Sequence, residues 1–234
     1  LVESLKEMGF KPGVVSRGYG ASIPKGEVRE VHHSSQIAEV GDEPLMLKQR
    51  LGCPIFVSPS RCLAVQALEQ QGCDVVITDD GLQHYALGRD IEICVVDGER
   101  KLGNGYLLPM GPMREPLRRV NATDYMVING ADDFWYNHPG KIKPKGGVFR
   151  MDLVAQNLQS LDLHNKEARN LPLSEFGGRK VNAIAGIGNP QRFFSALAAE
   201  GLQVESHAFA DHYAYCKSDV CFENNLPLIM TEKD

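Results

Sequence analysis

Apolar positions along the first hundred residues follow two alternating rhythms. Leu1, Leu5 and Met8 recur at helical spacing and stop at Gly9, and the short run at 12–16 then has the continuous character of a buried strand. The alternation predicts helices over residues 1–9, 43–51 and 60–71 and strands over 12–16, 54–58, 74–78, 91–97 and 124–129. Strands separated by helices predict parallel α/β winding, because a parallel neighbour can be reached only by a crossover. A Gly-, Pro- and Lys-rich stretch at 139–147 leads into a polar segment, 152–178, that lacks a sustained apolar period, and the inter-domain connection is expected there. A second βαβ unit begins beyond it. A strand is expected over Lys180–Ala185, a turn at Gly186-Ile187-Gly188-Asn189, a helix over 190–200 with Pro190 in its first turn, and a strand over 202–209. The expected division is a core lobe over 1–146, a connection over 147–179 and a second lobe over 180–234.

The sequence opens on Leu1, already inside a helical pattern, and stops at 231–234 in charged loop residues after a strand, so both ends read as cut. Its 234 residues are 43% hydrophobic, a soluble globular composition, and the formal charge of −5 argues against nucleic acid as a partner. Local cations at 114–119 and at Lys141, Lys143 and Lys145 can still meet phosphate. Six cysteines form no C-x-x-C pair and several sit in apolar runs, which points to reduced thiols in the cytosol rather than to a disulfide framework or a zinc site. No run approaches 18 apolar residues, so membrane contact, if any, is expected to be peripheral.

The richest stretch is Asp74-Val75-Val76-Ile77-Thr78-Asp79-Asp80-Gly81-Leu82-Gln83-His84. The apolar run reads as a strand covered on both faces, with Asp79 and Asp80 at its carboxyl end, where open α/β sheets gather ligands. Adjacent carboxylates repel, and hard oxygen ligands at a strand end suit Mg²⁺ carrying phosphates. The same residues also read as a simple turn, since Asp-Gly is a common turn dipeptide.

Other motifs leave similar alternatives. Ser16-Arg17-Gly18-Tyr19-Gly20 is a polar-ligand loop or a solvated surface turn, and Arg17 has the fork that grips phosphate. Asp42, in Gly41-Asp42-Glu43-Pro44, stands at a helix start, where an aspartate also serves as an N-cap. His212 follows a strand end and can relay a proton or simply bond at the surface. The turn at Gly186 and Gly188 resembles part of a dinucleotide fingerprint without its third glycine, and tight-turn packing is the competing account. The loop from Gly103 to Pro116 is dense in Gly and Pro yet holds Leu107, Leu108, Met110 and Met113, and a loop so apolar usually covers something.

Taken in order, these pieces, with Leu107-Leu108-Pro109, Gly111-Pro112, Arg114-Glu115-Pro116 and Thr231-Glu232-Lys233-Asp234, resemble the tetraacyldisaccharide 4'-kinase family along nearly the whole chain. The resemblance implies a P-loop-NTPase-like parallel sheet domain with a second, smaller α/β domain, and an ATP-dependent lipid kinase. Its substrate would be an acylated glucosamine disaccharide 1-phosphate of lipid A biosynthesis, met at the cytoplasmic face of the bacterial inner membrane, with ATP and Mg²⁺ as cofactors. No obligate protein partner is inferred. By the same resemblance Asp42 is the catalytic base and His212 its partner, brought together as two lobes close. Asp79 and Asp80 serve the metal, Gln83, His84, Arg114 and Glu115 the nucleotide and its phosphates, and Arg17, Tyr19 and Asn104 the disaccharide. The largest departure is that no G-x-x-x-x-G-K-[ST] phosphate loop occurs in these residues, which are therefore expected to be inactive alone. The rival expectations are a Rossmann-type oxidoreductase or glycosyltransferase built on Gly186 and Gly188, and a non-catalytic nucleotide-binding module.

Overall fold

The structure, a computed structural model, describes residues 1–130, 142–155, 157–161 and 170–234. Lys141 and the start of the 139–147 stretch lie outside the described residues, as do positions 156 and 162–169 of the polar segment. The chain forms two compact units, Leu1–Asp79 with Val154–Asp234, and Asp80–Leu153. Parallel sheets interleaved with helices make it an α/β protein.

The first unit begins with α1 (Val2–Glu7), β1 (Pro12–Ser16), β2 (Arg29–Glu30), α2 (Ile37–Val40), α3 (Asp42–Leu51), β3 (Ile55–Val57), α4 (Arg61–Gln70) and β4 (Val75–Thr78). Its sheet runs β2-β3-β1-β4, with β1 parallel to both β3 and β4. Alternation along the strands sends side chains to two cores. Val14, Ile55 and Val57 pack with Val2, Val40 and Leu45 on one face, and Val15 and Phe56 pack with Ala64 and Leu68 of α4 on the other. β1, with helices on both sides, is buried at all five positions.

β4 departs from expectation. Val75–Thr78 are half-buried at every position rather than covered on both faces, because β4 is the edge of its sheet. An apolar run of four reports affinity for a sheet but not the rank of the strand within it.

The unit continues with β8 (Asn157–Gln159) and β9 (Asn170–Pro172), an antiparallel pair inside the segment expected to be connection. A second sheet follows: β10 (Lys180–Ala185), α5 (Pro190–Ala199), β11 (Gln203–Ala208) and β12 (Leu228–Met230), in the order β11-β10-β12, all parallel. Val181, Ala183 and Ala185 share one face with Phe194, Leu197 and Ile229. On the other face the buried Asn182 donates to Asn224 at 2.8 Å.

The second unit holds β5 (Ile93–Asp97), β6 (Tyr125–Asn129) and β7 (Gly147–Met151), all parallel, with Val95, Val127 and Phe149 in register. Met126 and Ile128 pack with Ile142, Val96, Leu117 and Val120 on one face. Among the described residues this unit has no α-helix.

Candidate active site

Parallel strands deliver their following loops to one edge, and in the second sheet of the first unit three loops converge there: Gly186–Asn189 after β10, Asp211-His212 after β11, and Thr231–Asp234 after β12. His212 adopts φ 58°, a left-handed conformation that histidine reaches more readily than most residues, and its N–H donates to the Gly186 carbonyl at 3.2 Å. Asp234 ties the third loop down. Its carboxylate accepts from Gly186 N–H (3.0 Å), Tyr215 O–H (3.0 Å) and Thr231 O–H (2.6 Å). Burial first, and then this carboxylate, push the Tyr215 hydroxyl pKa well up, so the phenol remains a donor. A Cβ on Gly186 would lie 2.8 Å from Tyr215 Oη and 2.9 Å from Asp234 Oδ1, so the glycine is needed for close packing. The place a pyrophosphate would take in a dinucleotide fold is thereby filled by a carboxylate of the chain itself, which weighs against the Rossmann reading.

The same unit brings α3 to this loop cluster. Gly41, at φ 92°, is the N-cap residue and Asp42 the first helical one, so the aspartate is not itself the N-cap. Any Cβ at Gly41 would stand 2.8 Å from the Tyr19 carbonyl, and one at Gly18 would stand 2.8 Å from Ile23 and 3.1 Å from the Val40 carbonyl. These two glycines let the loop after β1 lie against the start of α3. Asp42 Oδ1 accepts the Glu43 N–H at 2.9 Å, and Asp42 Oδ2 stands 2.7 Å from His212 Nδ1. The Tyr19 ring packs on the imidazole with centroids 5.0 Å apart. Three residues singled out from the sequence, Tyr19, Asp42 and His212, thus meet, the last two across 170 residues of chain. Arg17, in the same loop, is exposed.

Lys233, to which the sequence assigned no role, sits in the middle. Its Nζ donates to Asp211 Oδ1 at 2.9 Å and lies 3.4 Å from His212 Nε2, 3.6 Å from Glu43 and 3.9 Å from Asp42 Oδ2, with its side chain 14% exposed. Burial disfavours the ammonium, but the hydrogen bond to Asp211 and the charges of Asp211, Asp42 and Glu43 hold its pKa above the usual lysine value. Burial likewise works against the Asp211 carboxylate, and the lysine outweighs it and holds that pKa low. The available signal was position: Thr231–Asp234 follows a parallel strand at its carboxyl end, as the other two loops do.

Asp79 closes β4. Its N–H donates to the Val15 carbonyl at 3.0 Å, and the buried Arg61, also missed from the sequence, donates to its carbonyl oxygen at 3.1 Å.

In the second unit Asp80 has φ 47°, and its carboxylate takes both bonds from Arg114 Nη1, at 3.2 and 3.3 Å, with both side chains exposed. Glu115 accepts from Gln83 at 2.9 Å and from the Tyr85 hydroxyl. Arg89 donates to the carbonyls of Gly81 and Leu82 and pairs with Glu92 at 2.9 Å, and Arg119 joins Glu92 (2.6 Å) to Glu115 (3.4 Å). The hydrogen bond from Arg119 holds the Glu92 pKa low against the effect of burial. Gln83 and Glu115 therefore belong to one polar network with Tyr85, Arg119, Glu92 and Arg89, Arg114 and Asp80 form a separate pair, and half-buried His84 lies in the same segment as Gln83. Asn104 bridges its own loop, donating to the Met110 carbonyl at 2.8 Å and accepting from Tyr106 N–H at 3.2 Å.

Consecutive carboxylates supply hard oxygens, and Mg²⁺ commonly needs one or two of these besides phosphates and water. Asp79 and Asp80 fit that requirement. Among the described residues no cluster of three or more His, Cys, Asp or Glu is placed to hold a metal unaided. No described helix is long and apolar enough to cross a membrane.

The family model described as LpxK, tetraacyldisaccharide-1-P 4'-kinase, matches residues 1–234. The tetraacyldisaccharide 4'-kinase of Nitrosococcus oceani is 43% identical over 235 residues, an alignment covering 100% of this chain and 64% of the relative. That of Xanthomonas axonopodis pv. citri is 45% identical, covering 100% of this chain and 67% of the relative. The chain spans about two thirds of the length of the curated relatives it matches. The crystal structure of the "apo" form of LpxK from Aquifex aeolicus in complex with ATP superposes with a TM-score of 0.73 at 27% identity, over 100% of this chain and 72% of that one. A family model that matches all 234 residues of the chain, together with this superposition, shows that the chain belongs to the tetraacyldisaccharide-1-P 4'-kinase family.

Proposed function

We propose that these residues form the base-bearing part of a kinase that transfers the γ-phosphate of ATP to the 4'-hydroxyl of a tetraacyl glucosamine disaccharide 1-phosphate, at the cytoplasmic face of the bacterial inner membrane. The observation that carries this reading is the 2.7 Å contact between Asp42 and His212 in a family of kinases. A carboxylate held by an imidazole accepts the proton of the hydroxyl as its oxygen attacks the γ-phosphorus and the bond to ADP breaks. The ring of Tyr19 and the guanidinium of Arg17 would face the sugar and its phosphate, and Asn104, which ties its own loop together, would also serve the disaccharide. Gln83, His84, Arg114 and Glu115 would attend the nucleotide. Asp79 and Asp80 would hold Mg²⁺, which when bound neutralises phosphate charge.

A lipid substrate accords with the loop carrying Tyr106, Leu107, Leu108 and Met110, whose side chains are all exposed although the loop is pinned by its own hydrogen bonds. Such a surface suits peripheral contact with acyl chains. The lobes over 1–146 and 180–234 are proposed as the nucleotide lobe and its smaller companion.

The test is transfer of labelled γ-phosphate to the disaccharide lipid by the gene product at its full length. Asp42→Ala should lower turnover by roughly 10²–10⁴-fold, the usual worth of a positioned base. Wild-type turnover in that variant would remove Asp42 from the role. The 234 residues alone, lacking a G-x-x-x-x-G-K-[ST] loop, are expected to bind ATP weakly, and micromolar affinity would contradict this.

A further inference from the structure

We propose that Lys233 is a positioning residue that fixes the proton of His212 on Nδ1, and so leaves the Asp42 carboxylate as the group free to accept a proton. The catalytic part of this inference rests on the kinase reading above; the part that concerns the proton's location does not.

The argument begins with what each group can do. An ammonium has three donors and no acceptor, whereas a neutral imidazole has one nitrogen of each kind. Lys233 Nζ faces His212 Nε2 at 3.4 Å, so Nε2 must present its lone pair there, and the single ring proton then belongs to Nδ1. Nδ1 points at Asp42 Oδ2, 2.7 Å away, which is the geometry of a donor meeting a carboxylate.

The charged groups facing the ring are Asp42 on α3, Asp211 beside it after β11, and Lys233 after β12, with Glu43 of α3 on the lysine at 3.6 Å. Without the lysine, Asp211 Oδ1, 3.8 Å from Nε2, becomes the nearest charged group on that side. A carboxylate on each side of the ring would favour a proton on both nitrogens. The resulting cation would sit on Asp42 and weaken it as a base. The lysine prevents this by occupying Asp211 itself, at 2.9 Å. Its own position is secured from the next residue, since Asp234 is bonded to Gly186, Tyr215 and Thr231.

The test uses the gene product at its full length and reads the side-chain nitrogens of His212 by ¹⁵N NMR at neutral pH. The wild type should show a protonated Nδ1 and a bare Nε2. In Lys233→Met, Nε2 should acquire a proton, and kcat for phosphate transfer should fall by about tenfold to a hundredfold, the range seen when a partner that orients a metal-bound histidine is removed, with KM for ATP unchanged. Lys233→Arg, also a pure donor, should restore both readouts. A protonated Nε2 in the wild type would overturn the proposal without any variant, and so decides the matter should Lys233→Met fail to fold. An unchanged Nε2 in a folded Lys233→Met protein, full turnover in it, or no recovery in Lys233→Arg would also overturn it. If the wild type transfers no phosphate, the kinase reading falls while the nitrogen shifts still report on the lysine.

Discussion

The sheet around β1 and the sheet around β6 are built from similar apolar strands but are covered very differently. In the first, α1, α2 and α3 lie on one face and α4 on the other, and Val14, Val15, Ile55 and Val57 are at most 2% exposed. In the second, one face packs Met126 and Ile128, while Ile93, Val95 and Phe149 on its flanking strands are 39%, 59% and 53% exposed. The contrast extends to the polar pairs of the two units. Asp42 and His212 belong to the well-covered unit and hold each other at 2.7 Å, whereas Asp80 and Arg114 in the other are 69% and 62% exposed and meet at 3.2 Å. The close packing of Gly18 and Gly41 and the bonds of Asp234 to its neighbouring loops hold Asp42 and His212 in place, whereas the Asp80–Arg114 pair stands in water.

The largest expected effect that would break this comparison is in the buried sheet. Leu68→Ala, beneath β1, should cost about 2–5 kcal/mol in urea unfolding, while Val95→Ala on β5 should stay within about 0.5 kcal/mol. Equal losses would mean that the exposed strand is covered in solution. Next comes the strongest polar point of the second unit. Glu92→Gln loses a charged acceptor shared by Arg89 and Arg119 and should cost about 1.5–3 kcal/mol by the same measurement.

Acid sharpens the contrast further. The Glu92 and Asp211 pKa values are both depressed in the fold, so each carboxylate contributes stability that is fully present above its unfolded value, near 4, and is lost as pH falls through the lower folded value. Unfolding midpoints measured below about pH 4 should therefore drop, and Glu92→Gln should flatten the part of that drop contributed by the second unit. The smallest effect belongs to Arg114→Ala. Its pair with Asp80 is exposed on both sides, so stability should change by no more than about 0.5 kcal/mol even where nucleotide binding weakens. A larger loss of stability would show that the pair is structural.

Much of this fold was legible because helices and strands alternate and each announces its own period. β1 and β10 lie where the pattern put them, and α3 ends at Gly52 in the left-handed conformation that a helix stop favours. The short pieces, β2, α2, β8 and β9, escaped because two to four residues carry no readable period. The edge position of β4 escaped because pairing order is not a local property. At the site, residue types were readable but distances were not: nothing local links Asp42 to His212. Lys233 was hidden by its type, since a lysine between Glu232 and Asp234 looks solvated.

The bonds of Asp234 to Gly186, Tyr215 and Thr231 have a consequence for redesign. Making the glycine turn after β10 accept a nicotinamide cofactor would require evicting that carboxylate. Its removal would untether the neighbouring lysine and the histidine beyond it. The bend can thus hold either a foreign pyrophosphate or the carboxylate that orders its neighbours, and a mutant library selected for the first should lose the second at its opening step.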